Sequence, residues 1–413
     1  MRREQTNWAA VAVASVLFGF SFYALISWIE HGQLSDVPVY VHYAGLMRHG
    51  AVPYRDFKFE YPPAALPAML LPSYMSWSYA TSFAVLMGVC GAACIAVSAS
   101  ALSAVEASAA RTWAALLAIG ISPLALGSLF DTRFDLWPTL LALGALAAVV
   151  RERPLMSGAL LGLGFAAKLW PAVLLPLAVA HLWRRRGEAG ALAFVAAFVL
   201  VSAACFVPFA VLGPDGLRAM FADQLNRPLQ VESLGAAVLM AAQHLGMRPL
   251  TTVSTHGAQA LSGRGAGLAA DLSTVLEAGS VVAIWIVFAR RRYANGEAML
   301  IAAAAAVVAL VCFDKVLSPQ YLIWLVPFVF LVRGLRGVLG GGLLFLALGL
   351  TQTWFPGHYW ALALDHAAPW SWYLLVRDLA LVALAGVLLL ELSRARDSEA
   401  ERARWPAARQ AGA

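Results

Sequence analysis

The chain has 413 residues, of which 61% are hydrophobic and only 13% are charged. Soluble domains average about 45–50% apolar and about 25% charged residues, so this composition excludes a soluble globular enzyme, a disordered chain and a disulfide-rich scaffold. It predicts an all-α polytopic membrane protein.

Apolar runs long enough for whole or half membrane spans recur along the chain. A hydrocarbon core about 30 Å thick needs about 20 helical residues, and fewer for a half-span. We predict about twelve spans in one integral membrane domain over residues 1–413. They lie near residues 8–29, 78–101, 112–130, 136–150, 155–168, 169–183, 189–212, 268–289, 298–313, 321–334, 338–354 and 371–392.

Arginine provides most of the positive charge, because only Lys58, Lys168 and Lys315 are lysines among 29 basic residues. With a cytoplasmic N-terminus, the arginine clusters all fall on the cytoplasmic side, as the positive-inside rule requires. The net charge of +6 therefore indicates orientation in a lipid bilayer and not a nucleic-acid partner. The clusters are Arg2–Arg3, Arg111, Arg151 with Arg153, Arg184–Arg186, Arg290–Arg292, Arg333 with Arg336, and the cytoplasmic tail at 393–413.

The opposite, extracytoplasmic side holds the acidic residues, prolines and tyrosines, and it holds or borders all three lysines. Basic residues on the side that the positive-inside rule disfavours are candidates for function. The outer segments are 30–77, which we take as a catalytic loop, 131–135, the long loop 213–267, 314–320 and 355–370.

The first outer loop is predicted to carry a short helix in the membrane interface. Ser35 or Asp36 can cap this helix, Pro38 suits its first turn, and Gly50 can end it. Asp36 could be no more than a cap, or it could be a functional carboxylate. With Asp56 and Glu60 it could also bind a divalent metal, although the chemistry expected below needs no cofactor.

Three further outer segments place charge beside apolar spans. Asp131 and Asp135 bracket Arg133, which suits either a solvated turn or a binding site. Lys168 lies between two short apolar runs, where a charged residue costs about 2.5–3.5 kcal/mol on insertion scales, so we expect it to face a polar cavity and meet an anion. Lys315 follows an aspartate at the outer mouth of two spans.

A helix bundle can gather these segments into one cavity whose carboxylates, arginines and lysines suit a substrate with a phosphate and hydroxyl groups. No Walker, dinucleotide, HExxH or GxSxG motif occurs in the chain, and no histidine pair has metal-ligand spacing. Gly158 and Gly162 form a GxxxG-like run that predicts close helix packing.

The outer motifs together resemble glycosyltransferase family 87, whose best-known members are mannosyltransferases of phosphatidylinositol mannoside assembly in actinobacteria. The resemblance extends from the first outer loop to just past residue 320. It rests on Asp36…Tyr40, Gly50…Pro53-Tyr54-Arg55-Asp56, Glu60-Tyr61-Pro62-Pro63, Arg133…Asp135, Ala167-Lys168…Pro171, Arg227-Pro228…Gln230…Glu232-Ser233 and Ser318-Pro319-Gln320-Tyr321.

The resemblance implies a GT-C fold in the bacterial cell membrane, with the active site at the outer face. It also implies a polyprenyl-phosphate sugar donor, typically of mannose, and a glycolipid or glycan acceptor. GT-C enzymes usually have their catalytic base just after the first span, a place that Asp36 occupies here. One base without a second nucleophile predicts inversion at the anomeric carbon.

The other candidate residues divide by charge. The cations, which would bind the donor phosphate, are Lys168, Arg133, Arg227, Lys315 and Arg55. The residues expected to bind sugar or acceptor hydroxyls are Asp56, Glu60, Tyr61, Asp135, Gln230, Glu232, Gln320 and Tyr321.

A transporter or flippase for a polyprenyl-linked or anionic solute is the alternative, since it too needs charged residues in a membrane cavity. Transporters favour internal repeats and sites near the bilayer midplane. We find no convincing repeat between residues 1–200 and 200–400, and the polar motifs gather at one face. These features favour the transferase.

Overall fold

Helices dominate the computed structural model, which describes residues 6–28, 34–247, 249–291 and 295–394. The predicted all-α membrane bundle is confirmed, with one small β-hairpin added. The α-helices are α1 Trp8–Trp28, α2 Val37–Arg48, α3 Leu66–Leu70, α4 Tyr79–Ala104, α5 Ala109–Leu126, α6 Leu129–Thr132, α7 Leu136–Val150, α8 Pro154–Ala167, α9 Leu175–Leu212, α10 Pro214–Leu225, α11 Leu234–His244, α12 Ala266–Ala289, α13 Gly296–Phe313, α14 Leu322–Val329, α15 Gly334–Trp354, α16 Tyr359–Ala363 and α17 Ala368–Arg394.

Each of the twelve predicted spans contains helix. Gly187, with φ 70° and ψ −171°, breaks α9 into the two predicted segments. Among the described residues, seven helices are long and apolar enough to cross a membrane, so the count of twelve stays a prediction. Parts of the predicted pattern, at residues 1–5, 29–33, 292 and 395–413, lie outside the described residues.

Arginine contacts tie helix ends together at one end of the bundle. Arg151 at the end of α7 donates to the Ser100 hydroxyl and carbonyl of α4, at 2.9 and 2.8 Å. Arg336 of α15 pairs with Glu391 of α17 at 2.7 Å. Similar contacts join Arg111 to Glu297, Arg184 to the Ala289 carbonyl, and Arg291 to the Leu392 carbonyl.

Two glycines bring α8 against the second half of α9. A Cβ atom on Gly158 would lie 2.2 Å from the Phe194 carbonyl oxygen, and one on Gly162 would lie 2.7 Å from that of Phe198. Only glycine allows backbones to approach this closely, so the predicted close packing is confirmed. This contact holds the C-terminal end of α8, where Lys168 follows.

The long loop at 213–267 contains more structure than its sequence indicated. Besides α10 and α11 it forms the antiparallel strands β1 Thr251–Thr255 and β2 Ala258–Ser262. His256 and Gly257 make the two-residue turn with φ of 50° and 69°, as tight hairpins require. Bonds from Val231 N to Gln259 O (3.0 Å) and from Leu261 N to Leu229 O (2.8 Å) attach the hairpin to the segment after α10.

Candidate active site

A cavity of about 870 Å³ lies where the starts of α2 and α7 meet the end of α8, the loop after α10, the hairpin turn and the loop after α13. Most of the candidate residues line it, although they come from distant parts of the chain. These lining residues are Asp36, Glu60, Tyr61, Arg133, Lys168, Arg227, Gln230, Glu232, Gln320 and Tyr321.

Asp36 occupies the N-cap position of α2, but its side chain accepts no capping hydrogen bond. The Ser35 hydroxyl takes that place and accepts from the Val37 amide at 3.1 Å. The Asp36 carboxylate instead lies 3.1 Å from Nε of Arg133 and 3.4 Å from the Tyr40 hydroxyl. The capping role alone therefore does not account for Asp36.

Arg133 fixes the start of α2 against the start of α7. Its buried guanidinium donates to the Leu34 carbonyl at 2.7 Å and to the Thr132 carbonyl at 3.3 Å, in addition to the ion pair with Asp36. Because Asp36 balances the charge of Arg133, this arginine orients the carboxylate more directly than it offers a cation to a ligand.

Lys168 extends from the end of α8 into a polar and aromatic setting. Its Nζ lies 2.6 Å from Oδ1 of the fully buried Asp135. The Trp324 indole donates to the same oxygen at 2.6 Å. The rings of Phe134, Tyr321 and Trp324 surround the ammonium at 5.0–5.2 Å, a range that allows cation–π attraction. Lys168 thus meets an anion, Asp135, within the protein itself.

Asp135 lies beneath the cavity and not on its lining. It binds Lys168 and Trp324 together, so it acts on a ligand only through them. Trp324 stacks on Trp170 at 4.9 Å and on Tyr321 at 4.1 Å between ring centroids. The three rings form an aromatic wall beside the ammonium.

The opposite wall carries amide and carboxyl groups. Gln230 donates from its side chain to the Ser318 hydroxyl at 2.8 Å and from its backbone to the Lys315 carbonyl at 2.9 Å. Glu232 is 2% exposed, and this burial raises its pKa to about 7. Its carboxyl group therefore changes protonation near neutral pH.

The rim of the cavity contains a cation without a bound carboxylate. Half-buried Arg227 donates to the His256 carbonyl at 2.8 Å, and within the described residues no carboxylate comes within 4.0 Å of it. Lys58, by contrast, pairs with Asp223 at 2.6 Å. Burial raises the pKa of Glu60, and the charges of Arg227 and Lys58 oppose that rise.

Besides Asp135, three candidate residues lie away from the cavity lining. Arg55 and Asp56 pair with each other at 2.8 Å on the surface, and Lys315 donates to the Leu225 carbonyl at 3.2 Å. Asp56 therefore does not join Asp36 and Glu60 as a metal ligand. In the described ranges no three His, Cys, Asp or Glu side chains form a group suited to a metal ion.

Several cavity residues escaped the sequence analysis, notably Asp223, Trp324 and Tyr359. Trp324 could have been predicted from the sequence, because it follows Tyr321 by three residues and so shares its helix face. Asp223 and Tyr359 reach the cavity through the long loop and α16, whose folded paths no local pattern indicates.

The fold and this cavity define an integral membrane protein with a polar site that suits anionic and hydroxyl-bearing substrates. A family model described as glycosyltransferase family 87 matches residues 59–319, which is more than half of the chain. The protein therefore belongs to glycosyltransferase family 87 and is a membrane glycosyltransferase. A search of curated proteins finds no match. The matched range excludes Asp36, which lies before it.

Asp135 provides a test of the buried pair. Replacing Asp135 with Asn leaves the Lys168 ammonium without its anion, and breaking a buried pair costs about 3–5 kcal/mol. We expect a lower midpoint of thermal unfolding in detergent. Asp215→Asn is the control, because that carboxylate belongs to a highly exposed pair with Arg218, and its midpoint should match the wild type. Equal midpoints for both variants would contradict the inferred difference.

Proposed function

We propose that this protein transfers a hexose, mannose, from a polyprenyl-phosphate donor to a glycolipid or glycan acceptor, with inversion at the anomeric carbon. The observation that carries the proposal is that one cavity of a family 87 chain is lined by the oriented carboxylate of Asp36 and by the cations Lys168 and Arg227.

Asp36 is the proposed general base. An acceptor hydroxyl must lose its proton as it attacks the anomeric carbon, and a positioned carboxylate can accept that proton. The ion pair of Asp36 with Arg133 at 3.1 Å and the contact with the Tyr40 hydroxyl at 3.4 Å support this role, because they keep the carboxylate at the cavity wall. No second nucleophile is assigned, which is why inversion is proposed.

The leaving phosphate needs positive charge more than it needs a proton. As the glycosidic bond breaks, negative charge grows on the phosphate, and fixed cations in a partly dry site stabilise it more than water does. Arg227 is the leading candidate because its guanidinium has no carboxylate partner among the described residues. Lys168 contributes as part of the pair with Asp135.

The remaining cavity surface suits the other parts of the substrates. Glu60, Gln230, Glu232 and Gln320 offer hydrogen bonds for sugar or acceptor hydroxyls. Apolar residues from α12 and its neighbours, including Val281 and Trp285, offer a surface for the prenyl chain.

The extracytoplasmic location of the site is part of the proposal. It is supported by the arginine contacts at the opposite helix ends, which the positive-inside rule assigns to the cytoplasm. A polyprenyl-phosphate donor is consistent with the lack of a nucleotide-binding motif. Because the chain belongs to a glycosyltransferase family, no observation specifically favours the transporter hypothesis.

Replacing Asp36 tests the base directly. In Asp36→Asn the side chain keeps its size but cannot accept the proton, and general-base catalysis contributes about 10²–10⁴-fold. We expect transfer from lipid-linked mannose in membranes to fall by that factor. Asp215→Asn is the control, because Asp215 is 92% exposed on α10. Full activity in Asp36→Asn would remove the base assignment.

Replacing Arg227 tests the phosphate site. Hydrogen bonds to charged groups contribute about 1.5–3 kcal/mol, so Arg227→Gln should raise the donor KM by about ten- to a hundredfold. Steady-state kinetics at saturating acceptor measure this effect. The control is Arg218→Gln, which removes a 78% exposed arginine of α10. An unchanged donor KM in Arg227→Gln would overturn the assignment.

A further inference from the structure

A complete ion pair is buried behind the cavity, between adjacent residues of α17. Arg377 is 0% exposed and Asp378 is 1% exposed, and Nε of the arginine lies 3.0 Å from Oδ1 of the aspartate. Buried ionisable residues in membrane helices are costly and often functional. Neither residue lines the cavity, and both lie beyond the range matched by the family model.

Stability does not explain this pair. Adjacent residues of a helix do not face each other, and the contact has poor hydrogen-bond geometry. Arg377 Nε and one terminal nitrogen, and both oxygens of Asp378, lack hydrogen-bond partners. Well-packed apolar residues often replace a buried ion pair without loss of stability, so the pair calls for another explanation.

The strongest contact of Arg377 points to the cavity. Its second terminal nitrogen donates to the backbone carbonyl of Glu232 at 2.6 Å. The guanidinium also lies 5.8 Å from the ring centroid of Trp354, which restricts its orientation. Arg377 thereby attaches the segment after α10 to α17 at the residue whose side chain reaches the cavity.

Glu232 is part of the wall of that cavity, and Gln230 and Tyr359 hydrogen-bond to its carboxyl group. Its carboxyl group faces Arg377 from α17, Tyr359 from α16, and Gln230 and Tyr321 from the flanking loops. Its Oε2 atom is buried without a hydrogen-bond partner. Tyr359 lines the same cavity and lies within electrostatic range of both Glu232 and Arg133.

We propose that Arg377 is a positioning residue that holds Glu232 in the wall of the cavity it shares with Asp36, so that the Glu232 carboxyl group binds a hydroxyl of a sugar unit there. This inference rests on the proposed transferase function. Asp378 pairs with Arg377, does not line the cavity, and is not among the charges that shift the pKa of Glu232.

The charge of Arg377 also acts on the pKa of Glu232. Burial raises the pKa of Glu232 to about 7, and Arg377 opposes that rise. Loss of Arg377 therefore raises this pKa further. Whichever form of Glu232 is active, the corresponding limb of the pH–rate profile moves to higher pH.

The double variant Arg377→Leu/Asp378→Leu tests the proposal without leaving an unpaired charge. We expect kcat/KM to fall by about tenfold, the effect of losing one charge-assisted hydrogen bond, and the limb of the pH profile near pH 7 to move upward. The matched control is Arg111→Leu/Glu297→Leu, which removes a largely buried ion pair at the other end of the bundle. Like Arg377, Arg111 also donates to a backbone carbonyl, in this case that of Leu331. This control should leave the pH profile unchanged.

An infrared titration gives a readout that does not require activity. The band of the protonated Glu232 carboxyl, identified by its loss in Glu232→Gln, should titrate near pH 7 in the wild type and at higher pH in the double variant. A double variant with wild-type kinetics and an unmoved titration would overturn the proposal. Absence of transfer by the wild type from any lipid-phosphate donor would instead contradict the proposed function.

If the double variant does not fold, Arg377→Lys takes its place. Lysine keeps the charge but lacks the planar fork of arginine. The infrared titration should then stay near that of the wild type while kcat/KM falls. Wild-type kinetics in Arg377→Lys would show that a charge alone suffices and would overturn the positioning role.

Discussion

The site depends on one guanidinium. Arg133 binds the Leu34 carbonyl and the Asp36 carboxylate at once, so a single side chain from the start of α7 holds the start of α2 in place. The Asp36 carboxylate does not cap its helix, which is the commonest use of an aspartate in this position, because the Ser35 hydroxyl accepts from the Val37 amide instead. This arrangement therefore separates a catalytic candidate from a structural one.

The same constraint recurs around the cavity, because each buried charge needs a partner. Asp135 is matched by Lys168, and Asp378 by Arg377. Arg227 differs, since the described residues offer it only a carbonyl. A cation that is not paired with a carboxylate of the protein is best able to bind an anionic ligand. Arg227 is therefore a better candidate than the deeper Lys168 for binding the donor phosphate.

Much of the fold could be predicted from the sequence because the bilayer restricts it to apolar helices. The close packing at Gly158 and the short helix after Asp36 followed from local patterns. The roles of individual residues were harder to predict. Lys168 was expected to meet an anion, but its partner is Asp135, which comes from another helix and had been assigned to hydroxyl binding. The hairpin at 251–262 and the approach of Arg377 to Glu232 are long-range contacts that no spacing reveals.

The central claim is that the donor is a lipid phosphate and not a nucleotide sugar. A transfer assay with purified protein in proteoliposomes distinguishes these donors. Labelled mannose is supplied either on polyprenyl phosphate or on a nucleotide, and the labelled products are separated and counted. We expect transfer from the polyprenyl phosphate alone. Transfer from the nucleotide sugar, or none from any polyprenyl-phosphate sugar in a donor panel, would contradict it.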